Sequence, residues 1–456
     1  MSIATSSTPL KNEWWRIARL ALPVTLQSIV MASLEIVDQV MVGQLGDLAI
    51  GAVGASLKAV MPIGLLLSSW VTGLSIFAAQ YWGKKARHAY RRLVELGLEV
   101  AVLVGVILAI IFYLGATPIM SVFTRDFLLI ATSAEFTRIL CWSYVPLAVS
   151  QSLSALLRSR EVTILPTAVS ITAAFVNILL DYLLIFGIGP VQAMGVKGAA
   201  LGTVLARAFE AALLSGIWLY YLQGLRAEIQ ERDRDEMVPV RRELNRILRR
   251  SAPILGGGLQ WVLGEQAYAA IFGRISRTDF AAFAATSSAM SLSTALMSGL
   301  AAAGAVLIGQ SIGAGHLQAT MKLARHLLRA SFVGGLITGL VLFAVRSSYL
   351  SLMDLSPEAT AIAHGVLGVF AVMLWCKVCN MVLSRGVLIA GGDSGFVFKM
   401  DLSTTWLIGV PMAMIGGLVL GIPLPAVYLL VCLEELVRLI IGIRRFNSRA
   451  WMERVV

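Results

Sequence analysis

Apolar runs of about 20 residues or more recur along the whole of this chain, each long enough as a helix to cross a hydrocarbon core of roughly 30 Å. Twelve can be placed, at about 15–43, 48–80, 93–122, 130–157, 163–187, 195–222, 251–274, 280–312, 326–346, 360–390, 398–421 and 423–443. Inside a bilayer every backbone N–H and C=O needs a partner within the protein, so runs of this length are helices. Only 14% of the 456 residues are charged, 58% are hydrophobic, and the mean hydropathy is +0.81. A soluble domain could not cover itself with so little charge. The expected fold class is therefore an all-α polytopic membrane protein, with twelve transmembrane helices in two pseudo-symmetric six-helix bundles. The first run is too long for the core of a signal peptide and reads as a retained span.

The net charge of +11 raises the question of nucleic acid, but its distribution answers it. Lys and Arg cluster in alternate loops: "KKARHAYRR" (84–92), Arg158 and Arg160, the stretch 223–250, Lys322 to Arg329, and "RRFNSR" (444–449). That bias predicts a multi-pass protein with both termini cytoplasmic and no nucleic-acid partner; the expected location is the plasma membrane, a prokaryotic inner membrane. Cys376 and Cys379 form a C-x-x-C, yet inside a span and without metal partners, so they and Cys141 and Cys432 read as packing residues. "GGDSG" (391–395) has the look of a protease nucleophile segment. It follows a membrane helix, where glycines end a span and Asp393 is placed to cap the next. No resident cofactor and no enzymatic chemistry are expected.

Sliding the chain against itself by 230 residues brings Pro23 onto Pro253, Glu35 onto Glu265, Gly43 onto Gly273, Gln80 onto Gln310 and Gly83 onto Gly313. Later spans align near 232, where Glu161 meets Asp393. Helix prolines and membrane carboxylates are costly to place by accident. The expected organisation is an N-terminal six-helix half over 1–222, a charged cytoplasmic linker over 223–248 and a C-terminal half over 249–456. An even number of spans gives both halves the same orientation, and parallel repeats of this kind are a transporter architecture with a substrate cavity between them.

In "VNILLDYLLIFG" (176–187), Asn177 and Asp181 stand four apart, on one face of an otherwise apolar helix. An ionised carboxylate in hydrocarbon costs several kcal/mol unless it meets a cavity or a partner. Either this pair has a task, or it satisfies polar groups between packed helices.

"LPVTLQSIVMASLEIVDQVMVGQLGDLAIGAVG" (22–54) resembles the first span of the multidrug and toxic compound extrusion (MATE) family. "NILLDYLLIFG…MGVKGAALGT" is similar to that family's fifth and sixth spans, "RGVLIAGGDSGF" (385–396) to its glycine-rich segment after span ten, and "W…GVP" (406–411) to span eleven. The order is the family's, over nearly the full length, and the pattern is closer to the DinF-like branch. The resemblance implies an ion site at Asp38, Asn177, Asp181 and Thr203, and a bend in span one at Pro23. It departs from the NorM-like branch, which has an ion-binding acid in span ten where this chain has Lys377 and Val378.

These expectations combine with the residues' chemistry. Asp38, Asn177, Asp181 and Thr203 offer only oxygen-bearing groups, which suit a hard cation such as Na⁺. Two close carboxylates in a low dielectric do not both stay charged cheaply, so a proton can take the metal's place. The function expected is secondary antiport of organic cations against H⁺ or Na⁺, with a flippase for a lipid-linked or amphipathic precursor as the alternative. An intramembrane enzyme and a channel fit less well, for want of convergent reactive groups or a filter-like loop. Partners are small-molecule substrates and the bilayer, and the chain is expected to act as a monomer.

A second tier of residues is more open. Glu35 is either a further proton carrier or an ion-pair partner, for instance of Lys58. Glu265 and Lys377 are either paired or part of a secondary polar or substrate site. Glu434 with Arg438, and Arg207 with Glu210, have helical pair spacings and read as structural. Met61, Trp70, Met290 and Met297 either pack or line a cavity for bulky amphipathic cations. At the repeat offsets, the counterparts of Asp38, Asn177 and Asp181 are Tyr268, Gly409 and Ala413, and that of Thr203 lies near residue 435. Ion coupling is therefore expected in the first half alone.

Overall fold

The computed structural model describes residues 10–187, 192–228, 239–351, 353 and 355–456. The centre of the linker, 229–238, and the side chain of Glu35 lie outside the described residues. Every regular element among the described residues is helical. In chain order these are α1 (Leu10–Gly43), α2 (Asp47–Lys84), α3 (Arg87–Ser121), α4 (Phe127–Leu140), α5 (Tyr144–Ser159), α6 (Ile164–Phe186) and α7 (Val196–Glu228). They continue with α8 (Val240–Ile275), α9 (Arg277–Gly313), α10 (Leu317–Leu350), α11 (Pro357–Met381), α12 (Ser394–Thr404), α13 (Val410–Met414) and α14 (Leu424–Asn447). A single 3-10 turn, Cys141–Ser143, joins α4 to α5. Wider π-helical turns follow α11 (Val382–Ile389), α12 (Thr405–Gly409) and α13 (Ile415–Val419).

Among the described residues, ten helical segments are long and apolar enough to cross a membrane. Helices α8 and α14, at 36 and 24 residues, have the length, but α8 is less apolar and α14 more charged. Past its arginine-rich first turns, α8 carries glycines and glutamines (Gly256, Gly257, Gly258, Gln260, Gly264, Gln266) where other spans carry larger apolar residues. The charges of α14 are Glu434, Glu435 and Arg438 in mid-helix, which pair with one another. Helix starts follow ordinary capping chemistry. Asp126 accepts from the amides of Leu128 (2.8 Å) and Leu129 (3.1 Å) at α4, and Ser356 caps α11 ahead of Pro357.

The chain divides into two compact units. The first unit is Ile29–Ser251; the second joins Met1–Ser28 to Ala252–Val456. Both boundaries fall inside helices, α1 and α8. Within the second unit, the early turns of α1 lie against α9: Ser28 and Ser298 hydroxyls are 2.9 Å apart, and Thr25 donates to the Leu296 carbonyl at 3.4 Å. Gly299 is required there, since a Cβ would strike the Ala21 carbonyl and Thr25. Glu13 adds His326 (3.0 Å) and Lys322 (3.5 Å) on α10. Within the first unit, the later turns of α1 bury Met41 and Val42 with Phe136, Leu140, Ile185 and Ala200. The opening turns of α8 also belong there: the Tyr81 hydroxyl donates to buried Glu243 at 3.0 Å.

The "GGDSG" turn departs from expectation. Asp393 occupies the cap position of α12 but its side chain makes no cap bond; it accepts instead from Arg445 Nε at 2.7 Å. The glycines make room for the chain's C-terminal segment. Trp451 is fully buried, a Cβ on Gly391 would strike its carbonyl, and the Glu453 amide donates to the Gly391 carbonyl at 3.0 Å. Gly392, at φ 97°, supplies the left-handed backbone that the turn requires.

Candidate functional site

In the first unit, close packing of α6 on α7 sets the site. Gly198 and Gly202 form a small-x-x-x-small stripe on α7, which lets two helix backbones approach. A Cβ on Gly198 would lie 2.5 Å from the Leu184 carbonyl oxygen, and one on Gly202 would strike the Asp181 carboxylate. Asp181 is 4% exposed. Its Oδ2 accepts from Asn177 Nδ2 at 3.1 Å, the bond that the i, i+4 spacing foretold. Its Oδ1 is buried and accepts no hydrogen bond. Burying a carboxylate oxygen without a donor is expensive, so this atom faces a place where a proton or cation would be welcome.

Asp38, on the later turns of α1, stands close enough to Asp181 for the two charges to act on each other. Thr203 follows Gly202, and its hydroxyl donates to the Ala199 carbonyl at 3.0 Å, leaving the oxygen's lone pairs available. Asn177, Asp181 and Asp38 are thus neighbours in one unit, with Thr203 beside the glycine that Asp181 touches. Pro23 lies inside α1, on the part of that helix belonging to the second unit.

Other sequence candidates fall out differently. Glu265 and Lys377 do not pair: no ion pair joins them, and Lys377 Nζ sits 5.8 Å from the Phe370 ring centre, with its charge felt by Glu435 and Cys432. Their different helices do not bring the two heads together, whatever their opposite signs suggest. Lys58 is exposed. Arg207 donates to Ser143 Oγ at 2.7 Å while Glu210 accepts from Ser170 at 2.6 Å, so each finds a hydroxyl. Trp70 is buried and donates to the Gly97 carbonyl at 3.4 Å; Met290 sulfur meets the Tyr428 hydroxyl at 3.8 Å. Both are packing residues. Met61 is 44% exposed.

The second unit contains a larger polar cluster than the sequence suggested. Arg438 on α14 reaches Glu434 on its own helix, Glu435 Oε2 at 3.3 Å, Asp401 Oδ1 at 3.3 Å, and the hydroxyls of Thr404 and Thr405, each at 3.2 Å. Thr405 donates to Glu434 at 2.8 Å, and the Tyr268 hydroxyl donates to the same carboxylate. Asn380 Nδ2 donates to Glu435 Oε2 at 2.7 Å and to its main-chain oxygen at 2.8 Å. Thr405 opens the π-helical turn Thr405–Gly409. Such turns are frequent at functional sites. The visible signal was three charges within five residues of one span; the rest comes from far away in sequence. Among the described residues no group of three or more His, Cys, Asp or Glu side chains is arranged to hold a metal ion.

The sequence profile of the MatE family matches residues 23–183 and 253–415. The chain is 22% identical over 455 residues to the uncharacterized transporter YisQ of Bacillus subtilis, covering 98% of each. It is 22% identical to a probable multidrug resistance protein NorM of Thermotoga maritima, covering 96% of this chain and 93% of that one. Its fold is similar to that of a point mutant of the Vibrio cholerae MATE transporter VcmN, with a TM-score of 0.86 at 16% identity over 98% of both chains.

Proposed function

Since the chain belongs to the MatE family, it is a membrane transporter and not an enzyme, and we propose that it is a secondary antiporter exporting organic, drug-like cations in exchange for H⁺ or Na⁺ by alternating access. One observation carries this reading: a buried Asp181 oxygen without a hydrogen-bond donor, beside Asn177 and within electrostatic reach of Asp38. A proton or Na⁺ there, with Thr203 completing an oxygen set, removes the cost of two close carboxylates in a low dielectric. The Asn-x-x-x-Asp pair also favours the DinF-like branch. Basic loops put both termini in the cytoplasm, and the transporter works as a monomer.

Pro23 takes a backbone donor out of α1 and eases bending of the helix that carries Asp38. Pro23→Ala should leave cation binding near normal and slow turnover several-fold; unchanged rates at saturating substrate would remove it from the mechanism. The overall reading is tested by reconstituting the protein and following a fluorescent cation under separately imposed Na⁺ and pH gradients. Transport that answers to neither gradient would sink it. Movement of an amphipathic lipid precursor instead would favour a flippase.

A further inference from the structure

The polar clusters of the two units occupy matching places in the internal repeat. At the offset of 230, Tyr268 stands for Asp38; at 232, Gly409 stands for Asn177, Glu434 for Gly202 and Glu435 for Thr203. Both clusters press a carboxylate against a glycine, but from opposite helices. In the first unit Asp181 on α6 lies against Gly202 on α7; in the second, Glu434 on α14 lies against Gly409, where a Cβ would also strike the Tyr268 hydroxyl. The carboxylate has changed sides and the glycine has moved with it. What looks like a lost site in the linear alignment is a site built with its partners exchanged.

One group has no counterpart. At the same offset Arg438 stands for Ala206, a small residue 4% exposed. The neighbouring arginine of that helix, Arg207, is one position out of register and is spent on Ser143. In the second unit, therefore, a cation is always present, held by five oxygen-bearing side chains: Glu434, Glu435, Asp401, Thr404 and Thr405. The Arg438 side chain is 15% exposed, and Glu434 8%. Lys377 adds a second positive charge near Glu435, and Tyr268 and Asn380 donate to the outer carboxylate oxygens. The geometry points to Arg438 as a tethered cation: its guanidinium fills, in the second half, the position that the exchangeable cation fills in the first, so only the first half responds to ions in solution. This rests on reading the Asp38–Asp181 cluster as the coupling site, and deepens it by explaining why a repeat with two polar sites uses one.

Free guanidinium provides the test. Arg438→Ala empties the position and leaves three acids around it. Purified in detergent with no gradient, this variant should melt below wild type and regain its midpoint along a saturating curve as guanidinium chloride is added at low millimolar levels, since a ligand bound only by the folded state stabilises it. Wild type should show no such rise. The double variant Arg438→Ala/Asp181→Asn should keep the response, which places it outside the first-half cluster. In proteoliposomes, Arg438→Ala should show a cation dependence steeper than wild type by one ion, while Arg438→Lys, which keeps the charge, should match wild type. A variant with no saturable response, one not recovered even when prepared in guanidinium, or an unchanged ion dependence would overturn the proposal and leave Arg438 an ordinary structural ion pair. Loss of ion dependence from wild type itself would instead strike the coupling reading, and the melting experiment would still stand apart from it.

Discussion

The two units solve one problem, a carboxylate buried among apolar helices, in opposite ways. Around Asp181 the first unit supplies an amide, a nearby acid and an oxygen left without a donor. Around Glu434 the second supplies an arginine, a tyrosine and a threonine, so that the carboxylate is met on all sides. The difference teaches that a buried charge alone does not mark an ion-responsive site. What matters is whether its compensation is covalently part of the protein or must arrive from solution.

The comparison can be broken first where the expected effect is largest. Glu434→Ala strips Arg438 of its nearest carboxylate; breaking a buried pair costs about 3–5 kcal/mol, so the variant should lose most of its thermal resistance. Its ion dependence should not change. If melting were unaffected and ion dependence lost, the roles of the two units would be reversed. Asp181→Asn should do the opposite, folding normally while ion-driven efflux falls roughly a hundredfold, an effect of about 2.7 kcal/mol on the rate. Wild-type efflux under both gradients would reduce Asp181 to a packing residue.

A sharper version uses the two glycines. Gly202→Ala and Gly409→Ala make the same chemical change where each unit's carboxylate lies against a glycine, each forcing a methyl group into that carboxylate. Overpacking of this kind costs about 1–3 kcal/mol. Gly202→Ala should show its damage mainly as altered ion affinity in transport assays, and Gly409→Ala mainly as a lowered melting midpoint. Equal profiles would erase the distinction between the units.

Much of the fold was legible because lipid imposes so simple a rule: ten spans declare themselves by length and apolarity. Asn177 and Asp181 were legible because their partnership is local, one helical turn apart. The Tyr268–Glu434 bond spans 166 residues, and nothing at either end announces the other. Aligning the repeat even hid it, since the alignment presents Tyr268 and Gly409 as losses when they accommodate a carboxylate delivered from another helix. Glu265 with Lys377 misled for a related reason: opposite charges in spans invite pairing, but the side-chain directions are fixed by tertiary packing.

The smallest expected effect lies outside the membrane, on the first turns of α8. Burial pushes the Glu243 carboxyl above its ordinary range, although the Tyr81 hydroxyl and the charges of Arg92 and Arg246 pull it back. A raised carboxyl holds its proton more tightly folded than unfolded, so its contribution is full at low pH and is lost as pH climbs from the unfolded value through the folded one. Glu243→Gln should flatten the fall of melting midpoint from acid to neutral pH. Parallel curves for variant and wild type would show that Tyr81 and the arginines offset the burial.

The placement of α1 has a consequence for how the chain is made. Its early turns find their partners, Leu296 and Ser298, some 270 residues later in the sequence. At roughly 5–20 residues per second, synthesis reaches them only about 15–55 s after α1 has left the ribosome. Helix α1, made long before these partners, therefore waits for part of its packing. Through that interval Thr25, Ser28 and the helix around Pro23 wait without their neighbours, and a chain halted before α9 leaves them so permanently.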